Sequence, residues 1–205
     1  EISSLYVPYW MKSGIARVSV QADCKKIKTW RVGDTRYTNT KYYQSSRDGE
    51  FTFIRVPCDG SKRIDDTLME SIEPFNYSGI KKFSMSYLSG CAAEKYDVSS
   101  AAAEQRIDQR IREAAVELLK QDMKAQGYDS VSTTSADLRF PRKTVIYAML
   151  PVWFLNYQYN GKDYPFVMNG QTGNRFGILP VSKLRTFLFG AGVFLAALLL
   201  FGGVS

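Results

Sequence analysis

Ile107, Ile111, Ala115, Leu118, Leu119 and Met123 recur three or four residues apart, and Arg106, Arg110, Glu113, Glu117, Lys120 and Lys124 fill the turns between them. That period belongs to an α-helix with one apolar stripe and one wet side. Ser99 to Gln126 therefore reads as a single helix, stopped by Gly127. At about 28 residues it is long for a globular helix, and its stripe must be buried, so it should lie across a sheet.

Strand character flanks it on both sides. Residues 5–56 are rich in aromatic and β-branched residues and alternate in Arg17-Val18-Ser19-Val20-Gln21-Ala22 and in Phe51-Thr52-Phe53-Ile54-Arg55-Val56. Ser13-Gly14, Gly33-Asp34 and Asp48-Gly49 read as turns, which gives a four-stranded antiparallel meander. Pro8 suits an edge strand or a bulge. Asp65 or Asp66 can cap a short helix running to Ser71, ahead of Glu73-Pro74, and a second short helix is expected from Ser84 to Tyr96. Strands return over Ser130–Arg139 and Thr144–Gln158, separated by a turn at Pro141-Arg142. Asn160-Gly161 then marks a hairpin, and Asp163–Met168 and Arg175–Pro180 flank an Asn169–Asn174 turn. Leu5-Tyr6-Val7-Pro8-Tyr9-Trp10 echoes Ala148-Met149-Leu150-Pro151-Val152-Trp153, by chance or by duplication.

The C-terminus, Thr186 to Ser205, contains no charge, side-chain amide or proline. Twenty residues of helix span about 30 Å, the thickness of a bilayer's hydrocarbon. A buried core helix is the competing reading, but four glycines suit a membrane better. Lys183 and Arg185 flank the run and place residues 1–185 in the cytoplasm. The expected fold class is α+β, with two antiparallel β-meanders flanking a helical segment with one long amphipathic helix, plus a C-terminal transmembrane helix. Residues 1–64, 65–129 and 130–185 form the soluble domain and 186–205 the span. Both chain ends read as cuts, since there is no initiator Met or signal peptide and nothing follows the apolar run.

The chain has no histidine, which removes Ser-His-Asp and Cys-His catalysis and His-ligated metal sites. Cys24, Cys58 and Cys91 are odd in number and lack any C-x-x-C spacing, so they read as reduced thiols, in keeping with a cytosolic location. No enzyme activity, catalytic residue, metal site or cofactor is expected within the chain. Weak candidates remain. Asn169, Gln171 and Thr172 lie in a glycine-bounded turn that can aim N–H groups at an anion, or can be a plain hairpin connection. Asp65, Asp66, Glu70 and Glu73 could hold a cation or do acid/base work, although acidic residues also suit a helix N-terminus without any catalysis. Cys58 beside Asp59 is a possible nucleophile. Residues 1–64 carry twelve Lys or Arg against six Asp or Glu, and Lys25-Lys26-Ile27-Lys28-Thr29-Trp30-Arg31 combines cations with an indole. Such a run suits nucleic acid, anionic head groups or a plain solvated face.

Leu150–Lys162, Phe166–Gly173 and Leu179–Ser182, with Tyr6–Trp10, Val56–Gly60, Leu68–Pro74, Tyr87–Gly90 and Glu94–Val98, resemble bacterial membrane proteins that carry a TFIIB-type zinc ribbon. The resemblance implies a ribbon, a soluble α+β region and then membrane helices. It implies no activity. The three cysteines here cannot build the ribbon, so any zinc belongs upstream of Glu1. The expected function is a membrane-anchored cytosolic scaffold or interaction module that presents such a ribbon to a protein partner, beside the lipid bilayer. The alternatives are a ligand-sensing domain or hydrolase using residues 65–73 or Cys58, and a nucleic-acid-binding module using the basic first meander.

Overall fold

Alternation carries the first strand without a break through 31 residues. In the computed structural model, which describes residues 2–177 and 187–194, β1 (Ile2–Val32) turns at Gly33-Asp34 into β2 (Thr35–Asp59). After α1 (Asp66–Ser71), two 3₁₀ turns (Tyr77–Gly79 and Met85–Leu88) and the short β3 (Ala92–Ala93), the long helix α2 (Ser100–Ala125) leads into β4 (Ser130–Tyr159). β5 (Lys162–Asn169) and β6 (Arg175–Gly177) follow. The sheet order is β2-β1-β4-β5-β6, with all of these neighbours antiparallel, and β3 adds a parallel pair to β1 at Leu5 and Tyr6.

This corrects the expected fold class. The two meanders do not stand apart on either side of a helical segment: β1 and β4 pair from Ile2↔Leu155 to Lys25↔Ser130, so both halves merge into one mostly antiparallel sheet with one long helix. The molecule is mostly β. The expected transmembrane helix is corrected as well, because among the described residues no helix is long and apolar enough to cross a membrane. Residues 187–194 are helical and largely exposed, and the remainder of 186–205, like Lys183 and Arg185, lies outside the described residues.

Two of the expected turns sit inside strands. Gly14 pairs with Phe53 on one side and Lys143 on the other, and a Cβ there would lie 2.1 Å from the Arg142 carbonyl oxygen. Gly49 pairs with Val18, and its Cβ would meet the Phe51 ring at 2.8 Å and Leu119 of α2 at 3.2 Å. Both glycines answer to close approach of neighbours and not to a reversal of the chain. At Ser13, β2 supplies two residues, Ile54 and Arg55, against one, with Arg55 at φ 52° and its N–H donated to Ser13 Oγ at 2.9 Å. This bulge shifts the parity of β2, so Phe51, Phe53, Val56 and Cys58 can all meet α2. Pro141 likewise falls in an irregularity of β4, between Arg142 and Arg139, and ends no strand.

α2 lies across the sheet as its stripe requires. Ser99 caps it, accepting from the Ala102 N–H at 3.3 Å, and Gly127 leaves it at φ 86°. Ala115, Leu119 and Met123 pack on Val18, Val20, Ala22, Cys24 and Val131, while Ala103, Ile107 and Ile111 pack on Ala16 and Cys58. Leu118, expected in the stripe, is exposed. Odd-numbered residues of β1 point the other way, and Val7, Tyr9 and Met11 form the opposite core with Leu68, Met69, Ile72, Phe75, Leu150, Val152 and Val167.

The sequence echo has a structural counterpart. β2 ends at Asp59-Gly60 and β5 at Asn169-Gly170, and both Asp59 and Asn169 are buried. The next glycine donates its N–H to a proline carbonyl in each case, Gly60 to Pro8 at 2.8 Å and Gly170 to Pro151 at 2.9 Å. A strand residue's N–H and C=O point to the same side, so each proline's missing donor faces the side where its neighbouring strand has just ended. Neither proline therefore costs a ladder bond. This equivalence favours duplication over chance.

Candidate functional site

The carboxylates of residues 65–73 are brought together by α2. Asp65 accepts from the Leu68 N–H at 3.2 Å as the cap of α1. The Arg106 guanidinium lies 3.1 Å from Asp66, 3.5 Å from Glu70 and 3.3 Å from the buried Asp59. Arg110 holds both oxygens of Glu73, at 2.7 and 3.3 Å, and donates to the Pro57 carbonyl at 2.8 Å. Arg106 and Arg110, expected on the wet side, are thus the clasps between the two helices and the end of β2. Burial pushes the Asp59 carboxyl up to about 6 against the pull of Arg106, and burial likewise raises Glu73. Among the described residues, no group of three or more His, Cys, Asp or Glu side chains is arranged to hold a metal ion.

Cys58 is buried, its S–H points to the Asp59 carbonyl at 3.5 Å, and burial pushes its thiol up to about 12. A thiol held so far above neutrality is protonated at pH 7 and is a poor nucleophile.

Asn169, Gln171 and Thr172 come together, aimed inward. Asn169 is 1% exposed; its amide donates to the carbonyls of Ile72 at 2.9 Å and Pro74 at 3.3 Å, and its Oδ1 accepts from the N–H groups of Gln171 and Thr172. Gln171 Oε1 accepts from the Asn76 N–H at 2.9 Å, and Thr172 Oγ1 accepts from the Asn174 N–H at 3.3 Å. The turn latches β5 onto the segment after α1, so the hydrogen-bonding groups offered to an anion are already engaged. Lys12, which the sequence did not single out, is fully buried under α2 against Asp108 and Glu104, with its ammonium 3.9 Å from the Phe140 ring centroid.

The basic run occupies a different kind of place. β4 stops pairing with β1 at Lys25, and from Lys26↔Lys41 to Val32↔Thr35 the hairpin continues alone for seven residue pairs. At about 3.3 Å per residue this arm reaches some 23 Å beyond the third strand. Residues 25–43 hold six Lys or Arg and one acidic residue, Asp34. Lys26 is tied to the arm's base, 4.8 Å from the Tyr128 ring centroid, where Asp129 also accepts from the Ile27 N–H at 2.6 Å. Lys28, Arg31, Arg36 and Lys41 have no ion-pair partner among the described residues, and all four are exposed. Trp30 and Tyr37 stack across the strands, with centroids 5.7 Å apart and an interplanar angle of 14°, and both stay about half exposed.

Two cross-strand pairs on the arm carry like charges directly opposite each other, Lys26↔Lys41 and Arg31↔Arg36. Such pairs destabilise a ribbon. In the body of the sheet the comparable Arg17↔Arg139 pair is compensated, by Glu50 at 2.7 Å and Asp137 at 2.9 Å.

Fold and site together define a mostly β module, one antiparallel sheet braced by a long helix, with a basic two-stranded arm. The chain is 30% identical over 192 residues to the uncharacterized protein YdjG of Bacillus subtilis (strain 168), an alignment covering 94% of this chain and 56% of that protein. It is homologous to that protein and spans about half of its length. No family model matches the chain, which leaves the zinc-ribbon resemblance without a family assignment, and no solved structure matches.

Proposed function

We propose that the chain is a non-catalytic interaction module that grips a polyanionic partner, nucleic acid in the first place, with the arm at residues 25–43. The reading rests on one observation, the like-charge pair Arg31↔Arg36, left without an ion-pair partner among the described residues on a ribbon that the rest of the molecule does not cover. Charges so placed weaken the free ribbon and gain only when phosphates approach. Cations are present on both faces, since Lys28 and Trp30 alternate with Arg31 along β1. A duplex groove about 12 Å wide admits a two-stranded ribbon and can engage both faces, whereas a flat bilayer takes one. The three unpaired cysteines suit a reducing compartment. A zinc ribbon elsewhere on a longer chain, as the family likeness implies, is compatible with this reading and would add a second contact.

A fluorescent DNA duplex titrated at several salt concentrations tests it. Four free cations on phosphates predict a slope of log affinity against log salt of about −3 to −4. Arg31→Ala/Arg36→Ala should weaken binding more than tenfold and flatten that slope by about 2, without lowering thermal stability. An unchanged slope in the variant, or tight binding to anionic vesicles with none to DNA, overturns the reading.

A further inference from the structure

The connection from Gly79 to Lys95 carries apolar side chains that the body leaves uncovered. Phe83 is 60% and Tyr87 51% exposed, and neither 3₁₀ turn in this stretch buries a residue. Beneath the connection lies a cleft of about 670 Å³, floored by Tyr6, Tyr147, Met149 and Pro151 of the sheet and roofed by Phe83 and Tyr87. Clefts of a few hundred to about 1,000 Å³ are the size that encloses a small organic ligand.

The polar groups at this cleft are few, and their charges do not cancel. Glu94 faces Arg63 at 3.7 Å, and Gln171 Oε1 is taken by the Asn76 N–H. Lys81 and Lys95 also line the cleft, and both are exposed with no ion-pair partner among the described residues. A mostly apolar cleft with two free cations fits a ligand with a hydrocarbon body and one anionic end. A nucleotide would need donors and acceptors for a base edge, and among the lining side chains with amide groups there is only Gln171. We infer that this cleft binds a monomeric single-chain fatty carboxylate, with its chain between Met149 and the Phe83–Tyr87 roof and its carboxylate at Lys81 and Lys95. The site is separate from the arm and does not depend on its role.

Calorimetric titration with dodecanoate below its micelle concentration tests the assignment, together with the methyl NMR resonance of Met149. The expected result is one saturable site per chain and a shifted Met149 methyl. Binding should weaken at least tenfold in Met149→Trp, which fills the cleft, and in Lys81→Glu/Lys95→Glu, which reverses the charge at its rim. Dodecyltrimethylammonium should bind at least tenfold more weakly than dodecanoate. Phe83→Ser, on an exposed position that the fold does not use, should also weaken binding and guards against a misfolded Met149→Trp. Any one of four results overturns the inference: no saturable binding, equal affinity in all variants, equal affinity for the cationic amphiphile, or binding to anionic phospholipid vesicles with none to the monomer.

Discussion

At Gly170 the backbone has no room for a side chain: an added Cβ would lie 2.9 Å from the Pro151 carbonyl oxygen and 3.0 Å from its Cβ. Gly170→Ala should therefore cost about 1–3 kcal/mol in urea unfolding, because the Pro151 carbonyl must move off its hydrogen bond. Asp59 gives a pH signature. Burial raises its carboxyl from 3.8 to about 6, so the folded state binds a proton that the unfolded state releases. Its contribution is fully present below about pH 4 and is lost as the pH rises through about 6. The loss is about 3 kcal/mol. Asp59→Asn should remove that fall between pH 4 and 6, measured as the difference in unfolding free energy between wild type and variant. At this scale the sequence was only half legible. Asp65 as a cap and Gly127 as a stop follow from local chemistry, which short spacing reveals. Gly14 and Gly49 were misread as turns because what they accommodate, the Arg142 carbonyl and Leu119, lies far along the chain.

Among the elements, α2 was the most readable, since its period of apolar residues needs no knowledge of partners. The ends expected at Ser99 and Gln126 are its caps. Its polar contacts were not readable, because Lys12, Arg106 and Arg110 find their carboxylates on other elements. The buried Lys12 makes a separable prediction. Removing a carboxylate leaves a charge in the core, whereas removing both partners does not. Asp108→Ala should destabilise by about 2 kcal/mol, and adding Lys12→Met should restore most of that loss in a double-mutant cycle. If the double variant is less stable than Asp108→Ala, the ammonium has other support.

For the whole molecule, the strand count failed where the strands were longest. β1 and β4 run through the glycines and prolines that normally end a strand, and pairing between residues over a hundred positions apart keeps each of them a single strand. Local propensity carries no trace of such partners. The basic run was visible as composition, but its exposure follows from β4 ending its pairing at Lys25, 105 residues before the partner Ser130. The charged arm is also dispensable to the cores, none of which contains a residue between 25 and 43. Replacing residues 27–40 with Asn-Gly should leave the two strands closed by a tight turn at Lys26 and Lys41. Thermal unfolding and duplex-DNA titration of that shortened chain, side by side with the intact one, test the account most directly. An unfolding midpoint within about 2 °C of the parent, with salt-dependent binding lost, is the result expected. Retention of the full affinity by a chain without its arm would contradict it.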